Sequence, residues 1–224
     1  MSERASEPMS ERAARPLVAV LDYGIGNLRS AQKARERVGA DARLTADADL
    51  VGGADGVVLP GVGAFGACAR AVRDAGLDVL ARKAIKADVP FLGICIGMQL
   101  LYERSEEDPA AEGLGVLPGT VRLLPATVKR PQMQWNTLSV VGEPAMFAGL
   151  DRPVWAYFVH SYAPCPAPRR SGAGDSDEGV VATCDYGGPV VAAVERGRLW
   201  ATQFHPEKSG AAGLGLLANF VRSL

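Results

Sequence analysis

The chain has 224 residues, of which 48% are hydrophobic, and its formal net charge at pH 7 is −1. This composition supports a substantial core and excludes a wholly disordered chain, and the length suits one domain or two small ones. The near-neutral charge argues against nucleic acid or an anionic membrane as a partner, and no apolar run approaches the roughly 20 residues that span a bilayer.

The first half of the sequence alternates apolar strands with helices. Residues 1–16 are polar and charged, and we expect a disordered tail before a single domain over residues 17–224. The predicted strands here are Leu17–Asp22, Ala42–Ala46, Gly56–Leu59 and Val89–Ile94, and the predicted helices are Asn27–Val38, Ala64–Asp74, Leu77–Ala87 and Met98–Arg104. Continuous apolar runs are typical of strands that are covered on both faces, so this half predicts a mostly parallel sheet flanked by helices.

The second half predicts shorter elements with hairpin-like turns. They are a short helix Ala145–Ala148, the strands Val154–Tyr162, Gly179–Cys184, Val190–Glu195 and Leu199–Phe204, a polar loop Pro166–Glu178 and a final helix Ala211–Val221. The expected fold is therefore a single α/β domain with a smaller antiparallel portion in its second half. Four scattered cysteines favour neither a zinc site nor a disulfide framework, so we expect no metal, no cofactor and a reducing cytoplasm.

Cys95 is the candidate nucleophile. It follows a buried strand and lies between Gly93 and Gly97, the thiol counterpart of a nucleophile elbow, in which a sharp strand-to-helix turn exposes the central side chain. Glycines leave room for the neighbouring elements at such a turn. Taken alone, this short pattern is equally compatible with a small buried cysteine between two packing glycines.

Thiol catalysis also needs a base, a group that orients the base, and donors for an oxyanion. His205 ends a predicted strand, at the sheet edge where the strand before Cys95 also ends. Glu207 is expected to face His205 because residues i and i+2 of an extended segment point the same way. The Pro60–Gly63 turn offers backbone N–H groups, and Gln99 is expected to point back toward the nucleophile. Each motif also has an ordinary structural reading, as a strand end, a glycine turn or an exposed helix residue.

Together these motifs resemble the class I glutamine amidotransferases. The strings that carry the resemblance are Pro60–Gly63, Gly93–Gln99 and His205–Glu207. Three more strings, Asp22–Asn27, Tyr157–Tyr162 and His205–Ser209, are similar to the glutaminase subunits of imidazole glycerol phosphate synthases, one branch of that family. One segment departs, because the family's usual Pro-His-Met-Gly-Trp-Asn is Pro131-Gln132-Met133-Gln134-Trp135-Asn136 here.

The resemblance implies a role for each matching residue. Cys95, His205 and Glu207 would form a triad that hydrolyses L-glutamine through a thioester. The oxyanion hole would use backbone amides at Val62 or Gly63 and at Ile96, and the amino-acid head would be held by Gln99, Ser161 and Tyr162. The partner would be a TIM-barrel cyclase, in a heterodimer, that uses the ammonia in histidine biosynthesis. The residues expected at or near its interface are Asn27, Met133, Trp135, Tyr157, His160 and Lys208.

Three alternatives remain open at this stage. The first is another amidotransferase of the same fold, such as one that serves pyridoxal phosphate or anthranilate synthesis, although the strings at Asp22 and Tyr157 argue against it. The second is a hydrolase of the same fold, such as a peptidase, which needs no partner. The third is a non-enzymatic α/β binding module in which Cys95 is structural.

Overall fold

The computed structural model describes residues 15–25, 36–166 and 179–224. The strands are β1 Leu17–Leu21, β2 Asp41–Thr45, β3 Gly56–Leu59, β4 Phe91–Ile94, β5 Arg104–Ser105, β6 Gly119–Leu123, β7 Gln132–Thr137, β8 Ser139–Val140, β9 Trp155–His160, β10 Tyr162–Pro166, β11 Val180–Asp185, β12 Pro189–Arg196 and β13 Leu199–Thr202. The helices are α1 Ala48–Gly52, α2 Phe65–Asp74, α3 Leu77–Lys86, α4 Ile96–Leu100 and α5 Gly210–Arg222, with 3₁₀ turns at Ala145–Phe147 and Pro206–Lys208.

A mixed sheet of eight strands organises the fold, in the order β2-β1-β3-β4-β13-β12-β11-β8. The pairs from β2 through β13 are parallel, and the pairs that join β12, β11 and β8 are antiparallel. Two smaller sheets, β10-β6-β5 and β7-β9, complete the second half. The predicted α/β class, with a mostly parallel sheet and a smaller antiparallel portion, is confirmed. None of the helices within the described ranges is long and apolar enough to cross a lipid bilayer.

The carboxyl ends of three central strands meet at one edge of the sheet. Leu59 of β3 is in register with Gly93 of β4, and Thr202 of β13 is in register with Ile94 of β4. Every residue of these three strands is buried, as expected for apolar runs that are covered on both faces. The loops that follow β3, β4 and β13 therefore start side by side.

The structure corrects one predicted strand, Val154–Tyr162. This segment forms two strands with different partners, because β9 pairs with β7 whereas β10 pairs with β6, and Ser161 lies at the break. Tyr162 therefore belongs to a different sheet from Phe158 and His160, which alternation along one strand does not predict.

Other differences are confined to short elements. The elbow helix, predicted over Met98–Arg104, begins at Ile96 and ends at Leu100, because Cys95 itself makes the turn. The predicted helix Ala145–Ala148 is a 3₁₀ turn. Helix α1 was not predicted, although the Asp47 side chain accepts a capping hydrogen bond from the Leu50 N–H at 2.8 Å.

Several sequence-based predictions fall outside the described residues. These are the tail over residues 1–14, the interface residue Asn27 with most of the helix predicted after it, and the loop over residues 167–178. Residues 36 and 37, near the end of that predicted helix, are helical.

Candidate active site

Cys95 occupies a strained turn between β4 and α4. Its φ of 54° and ψ of −110° lie in a region that L-residues rarely adopt. A Cβ at Gly97 would overlap the carbonyl oxygen of Leu59, and a Cβ at Gly93 would lie 3.0 Å from the carbonyl oxygen of Gly97. Neither glycine can therefore carry a side chain without movement of the backbone, and Cys95 has the geometry of the predicted elbow.

One pocket of about 250 Å³ brings together most of the residues that the sequence singles out. Its lining consists of Val62, Gly63, Cys95, Ile96, Gln99, Glu107, Pro131, Val159, His160, Ser161, Tyr162 and His205. All the oxyanion and substrate residues implied by the resemblance are in this set. No group of three or more His, Cys, Asp or Glu residues that could hold a metal ion occurs in the described part of the chain.

The imidazole of His205 contacts Glu207 in a buried pair. The Nδ1 of His205 is 2.8 Å from Oε1 of Glu207. Burial alone would lower the pKa of His205, but the nearby Cys95 and the hydrogen-bonded Glu207, with their charges, outweigh burial and raise it to about 9. The contact between His205 and Glu207 agrees with the prediction, yet its cause differs, because Pro206–Lys208 is a 3₁₀ turn and not an extended segment.

Three hydrogen bonds link the backbone of His205 with Ser209 and Tyr157. Its N–H donates to the carbonyl of Tyr157 at 3.0 Å, and its carbonyl accepts from the Ser209 hydroxyl at 2.7 Å. The same Ser209 oxygen accepts from the Tyr157 N–H at 3.0 Å. These hydrogen bonds join β9 to the loop that contains His205, so a displacement of β9 would also move His205.

Hydrogen bonds from two side chains anchor the Pro60–Gly63 loop. The Tyr23 hydroxyl donates to the carbonyl of Pro60 at 2.6 Å, and the Cys68 thiol donates to the carbonyl of Val62 at 3.3 Å. Burial, with the neighbouring Cys68, raises the pKa of Tyr23 far above its usual range, and burial raises the pKa of Cys68 to about 11. Both groups therefore keep their protons at neutral pH and remain donors.

This anchoring also sets the direction of one peptide group. The carbonyl of Val62 points at Cys68 in α2, and in a trans peptide the next N–H points the opposite way. The N–H of Gly63 therefore points away from α2. No backbone carbonyl among the described residues accepts from the N–H of Val62 or Gly63.

One end of the pocket is built around Tyr162. Gln99 is 1% exposed, and its amide N–H₂ donates to the Tyr162 carbonyl at 2.9 Å. His160 Nδ1 lies 2.9 Å from the same oxygen, and burial lowers the pKa of His160 to about 4. His160 is therefore neutral, with its Nδ1–H donated to this carbonyl.

Glu107 also lines the pocket, although no motif in the sequence predicts it there. Its carboxylate accepts from the Phe65 N–H at 2.7 Å, which fixes it beside the Pro60–Gly63 loop. It lies in a run of acidic residues, Glu106–Asp108, that resembles any solvated stretch.

Of the residues expected at a partner interface, four lie on one face of the β7-β9 sheet or beside it. Met133 is 62% exposed and Trp135 is 47% exposed, and the rings of Trp135 and Tyr157 are 6.0 Å apart. Lys208 is exposed in the neighbouring turn. His160, by contrast, is buried and faces the pocket.

Comparison with known proteins gives both a family and relatives of similar length. The family described as "Glutamine amidotransferase class-I" matches residues 20–224. The chain is 50% identical over 210 residues to "Imidazole glycerol phosphate synthase subunit HisH" of Thermobifida fusca, which covers 93% of this chain and 99% of that one. It is 48% identical over 208 residues to the subunit of the same name from Streptomyces coelicolor, which covers 92% and 93%. A crystal structure of a glutamine amidotransferase shares the fold with a TM-score of 0.67 at 22% identity, covering 92% and 99%.

Proposed function

The chain belongs to the class-I glutamine amidotransferase family, and we propose that it is the glutaminase subunit of an imidazole glycerol phosphate synthase. The family predicted from the motifs around Pro60, Cys95 and His205 is confirmed. The name shared by relatives that span almost the whole chain supports this subunit over another amidotransferase. The observation that carries the chemistry is the buried contact of Glu207 with His205, which lines the same pocket as Cys95.

In the proposed reaction the Cys95 sulfur, whose proton has passed to His205, attacks the side-chain amide carbon of L-glutamine. A carbon–sulfur bond forms as the carbonyl electron pair moves onto oxygen. His205, protonated at neutral pH because of its raised pKa, gives its proton to the amide nitrogen as the carbon–nitrogen bond breaks and ammonia leaves. His205 then takes a proton from water, which attacks the thioester, breaks the carbon–sulfur bond and releases glutamate. Glu207 keeps the imidazole oriented and supports its charge throughout.

The oxyanion would be bound by backbone N–H groups from two loops. One is the N–H of Ile96, the first residue of α4. Sequence similarity left Val62 and Gly63 as alternatives for the second donor. The anchored carbonyl of Val62 favours Gly63, because that N–H points away from α2 and Gly63 lines the pocket.

The amino-acid head of glutamine would be recognised at the Tyr162 end of the pocket. Both amide hydrogens of Gln99 are used within the protein, so its Oε1 is left to accept from the α-ammonium group. The carboxylate of Glu107 supplies negative charge for the same group. The hydroxyls of Ser161 and Tyr162 supply donors for the α-carboxylate. A substrate with both head charges would therefore bind better than a simple amide.

The ammonia would pass to a TIM-barrel cyclase bound as a heterodimer in the cytoplasm. The surface that we assign to this contact contains Met133, Trp135, Tyr157 and Lys208, with Asn27 as a further predicted member. Exposed large apolar side chains grouped on one face are typical of protein interfaces. Docking there would act on β9, whose Tyr157 is hydrogen-bonded to the backbone of His205.

The test compares glutamine hydrolysis by the isolated chain and by the chain with its cognate cyclase and a cyclase ligand. Hydrolysis that rises on cyclase addition supports the proposal, and hydrolysis that is independent of the cyclase contradicts the subunit assignment. Cys95→Ala should abolish ammonia release. Cys184→Ala, which removes another buried thiol outside the pocket, should not. An active Cys95→Ala variant would refute the role of Cys95.

A further inference from the structure

Gln203 contacts the sulfur of Cys95 from beneath the pocket. It follows β13 directly, and no part of it is accessible to solvent. Its Nε2 lies 3.7 Å from Sγ of Cys95. No motif in the sequence marks this residue, because the pattern of a Cys–His–Glu triad is complete without it.

The hydrogen-bonding chain around Gln203 determines which end of its amide faces the sulfur. The carbonyl of Tyr162 can only accept, so Gln99 must present its N–H₂ group to it, at 2.9 Å. The same nitrogen donates to Oε1 of Gln203 at 3.1 Å. With its oxygen committed to Gln99, Gln203 must direct its own N–H₂ group at Cys95. The orientation thus follows from a backbone carbonyl, whose polarity is fixed.

We propose that Gln203 is a further catalytic residue, whose amide donates a hydrogen bond to the Cys95 sulfur, stabilises the thiolate and holds it in position for attack. The inference rests on the proposed role of Cys95 as the nucleophile. A hydrogen bond to a charged acceptor is stronger than one to a neutral acceptor, and the difference is larger in a buried site where water cannot compete. Gln203 therefore favours the charged form of the sulfur over the neutral thiol.

The same chain of contacts links the nucleophile to the substrate end of the pocket. Tyr162, Gln99, Gln203 and Cys95 are connected in sequence by three hydrogen bonds. The two glutamines consequently have different tasks. Gln99 uses its N–H₂ group for the chain and leaves its oxygen for substrate, whereas Gln203 uses both ends within the protein. Loss of the Gln203 donor should lower kcat and leave KM for glutamine nearly unchanged.

The experiment measures how fast iodoacetamide alkylates Cys95 as a function of pH, followed by mass spectrometry of the peptide that contains Cys95. Gln203→Met keeps the approximate shape and removes the donor, and Gln203→Glu keeps the shape and replaces the donor with a carboxylate. We expect alkylation at pH 7 to slow by about tenfold in Gln203→Met and by more in Gln203→Glu, since the carboxylate also repels the thiolate. The pH midpoint of alkylation should rise in the same order.

The chain supplies a matched control in Gln132. This second glutamine has no accessible surface, and its Nε2 lies 3.8 Å from the sulfur of another buried cysteine, Cys184. Gln132→Met removes an equivalent amide–sulfur contact outside the pocket, so the midpoint for Cys95 should stay at the wild-type value. If Gln203→Met and Gln203→Glu also keep that midpoint, the inference is wrong. Because alkylation needs no glutamine, this result is separate from a failure of wild-type protein to hydrolyse glutamine.

Discussion

Replacement of Cys95 by glycine should make the protein more stable than replacement by alanine. The φ of 54° and ψ of −110° at this position cost an L-residue about 1–3 kcal/mol, and glycine is spared that cost. Glycine in turn loses more conformational entropy on folding, about 0.5–1 kcal/mol. The balance favours Cys95→Gly over Cys95→Ala by about 1 kcal/mol in the free energy of unfolding. Both variants lack the sulfur, so the comparison cancels every effect of the thiol itself.

Cys68 provides a control with the opposite expected sign. It is a buried cysteine within helix α2, where Cys68→Gly should be less stable than Cys68→Ala by about 1 kcal/mol. Urea unfolding of the four variants, followed by far-UV circular dichroism, gives both differences under identical conditions. The Gly-minus-Ala difference in the free energy of unfolding should therefore be about 2 kcal/mol more positive at Cys95 than at Cys68. Equal differences at the two positions would mean that the backbone of Cys95 stores no strain, and Cys95 would not occupy a strained elbow.

Three further predictions concern packing and protonation. Gly97→Ala should cost about 3 kcal/mol in unfolding free energy, because the added Cβ would overlap the Leu59 carbonyl, whereas Gly52→Ala, whose Cβ meets nothing within 4 Å, should cost nothing measurable. His160 has a folded-state pKa of about 4, below the unfolded value of 6.5, so the unfolded state takes up the proton first as the pH falls. The contribution of His160 to the free energy of unfolding should therefore fall by about 3 kcal/mol between pH 6.5 and 4, and a His160→Phe variant that loses as much stability as the wild type over this range would contradict this assignment. Tyr23→Phe should lower the free energy of unfolding by about 1–3 kcal/mol, because the Pro60 carbonyl loses its hydrogen-bond donor. The same variant should lower kcat, because the Pro60–Gly63 loop carries the proposed oxyanion donor. An unchanged kcat would mean that this hydrogen bond does not contribute to catalysis.

Much of the fold could be predicted because most of its long strands have a clear sequence pattern. The predicted ranges of strands β1 to β4 and β11 to β13 end within two residues of the observed ends, since apolar or alternating segments bounded by glycine, proline or charged residues are typical of strands. The break at Ser161 could not be predicted in this way. It depends on which partner each half of the segment finds, and β6 and β7 lie in a stretch where prolines obscure the pattern.

Some residues of the candidate site could likewise be predicted from the sequence, and others could not. Residues with reactive side chains in short motifs, such as Cys95 and His205, could be proposed from sequence because the chemistry limits the residue types. Glu107 and Gln203 could not, because glutamate and glutamine are common and only the tertiary contacts give them a role. Glu207 was proposed correctly as a partner of His205 but for a wrong local reason, since the 3₁₀ turn brings the two together.

The position of β13 explains how residues so distant in sequence form one site. This strand pairs in parallel with β4 on one side and antiparallel with β12 on the other, so it is where the two halves of the chain join. Its register is fixed at the proposed nucleophile, because the N–H of Cys95 donates to the carbonyl of Thr202 at 2.7 Å. A slip of one residue would exchange the faces of β13 and carry Gln203 and His205 away from the sulfur. The hydrogen bond between Cys95 and Thr202 thus also positions Gln203, the proposed donor, and His205, the proposed base, beside the sulfur of Cys95.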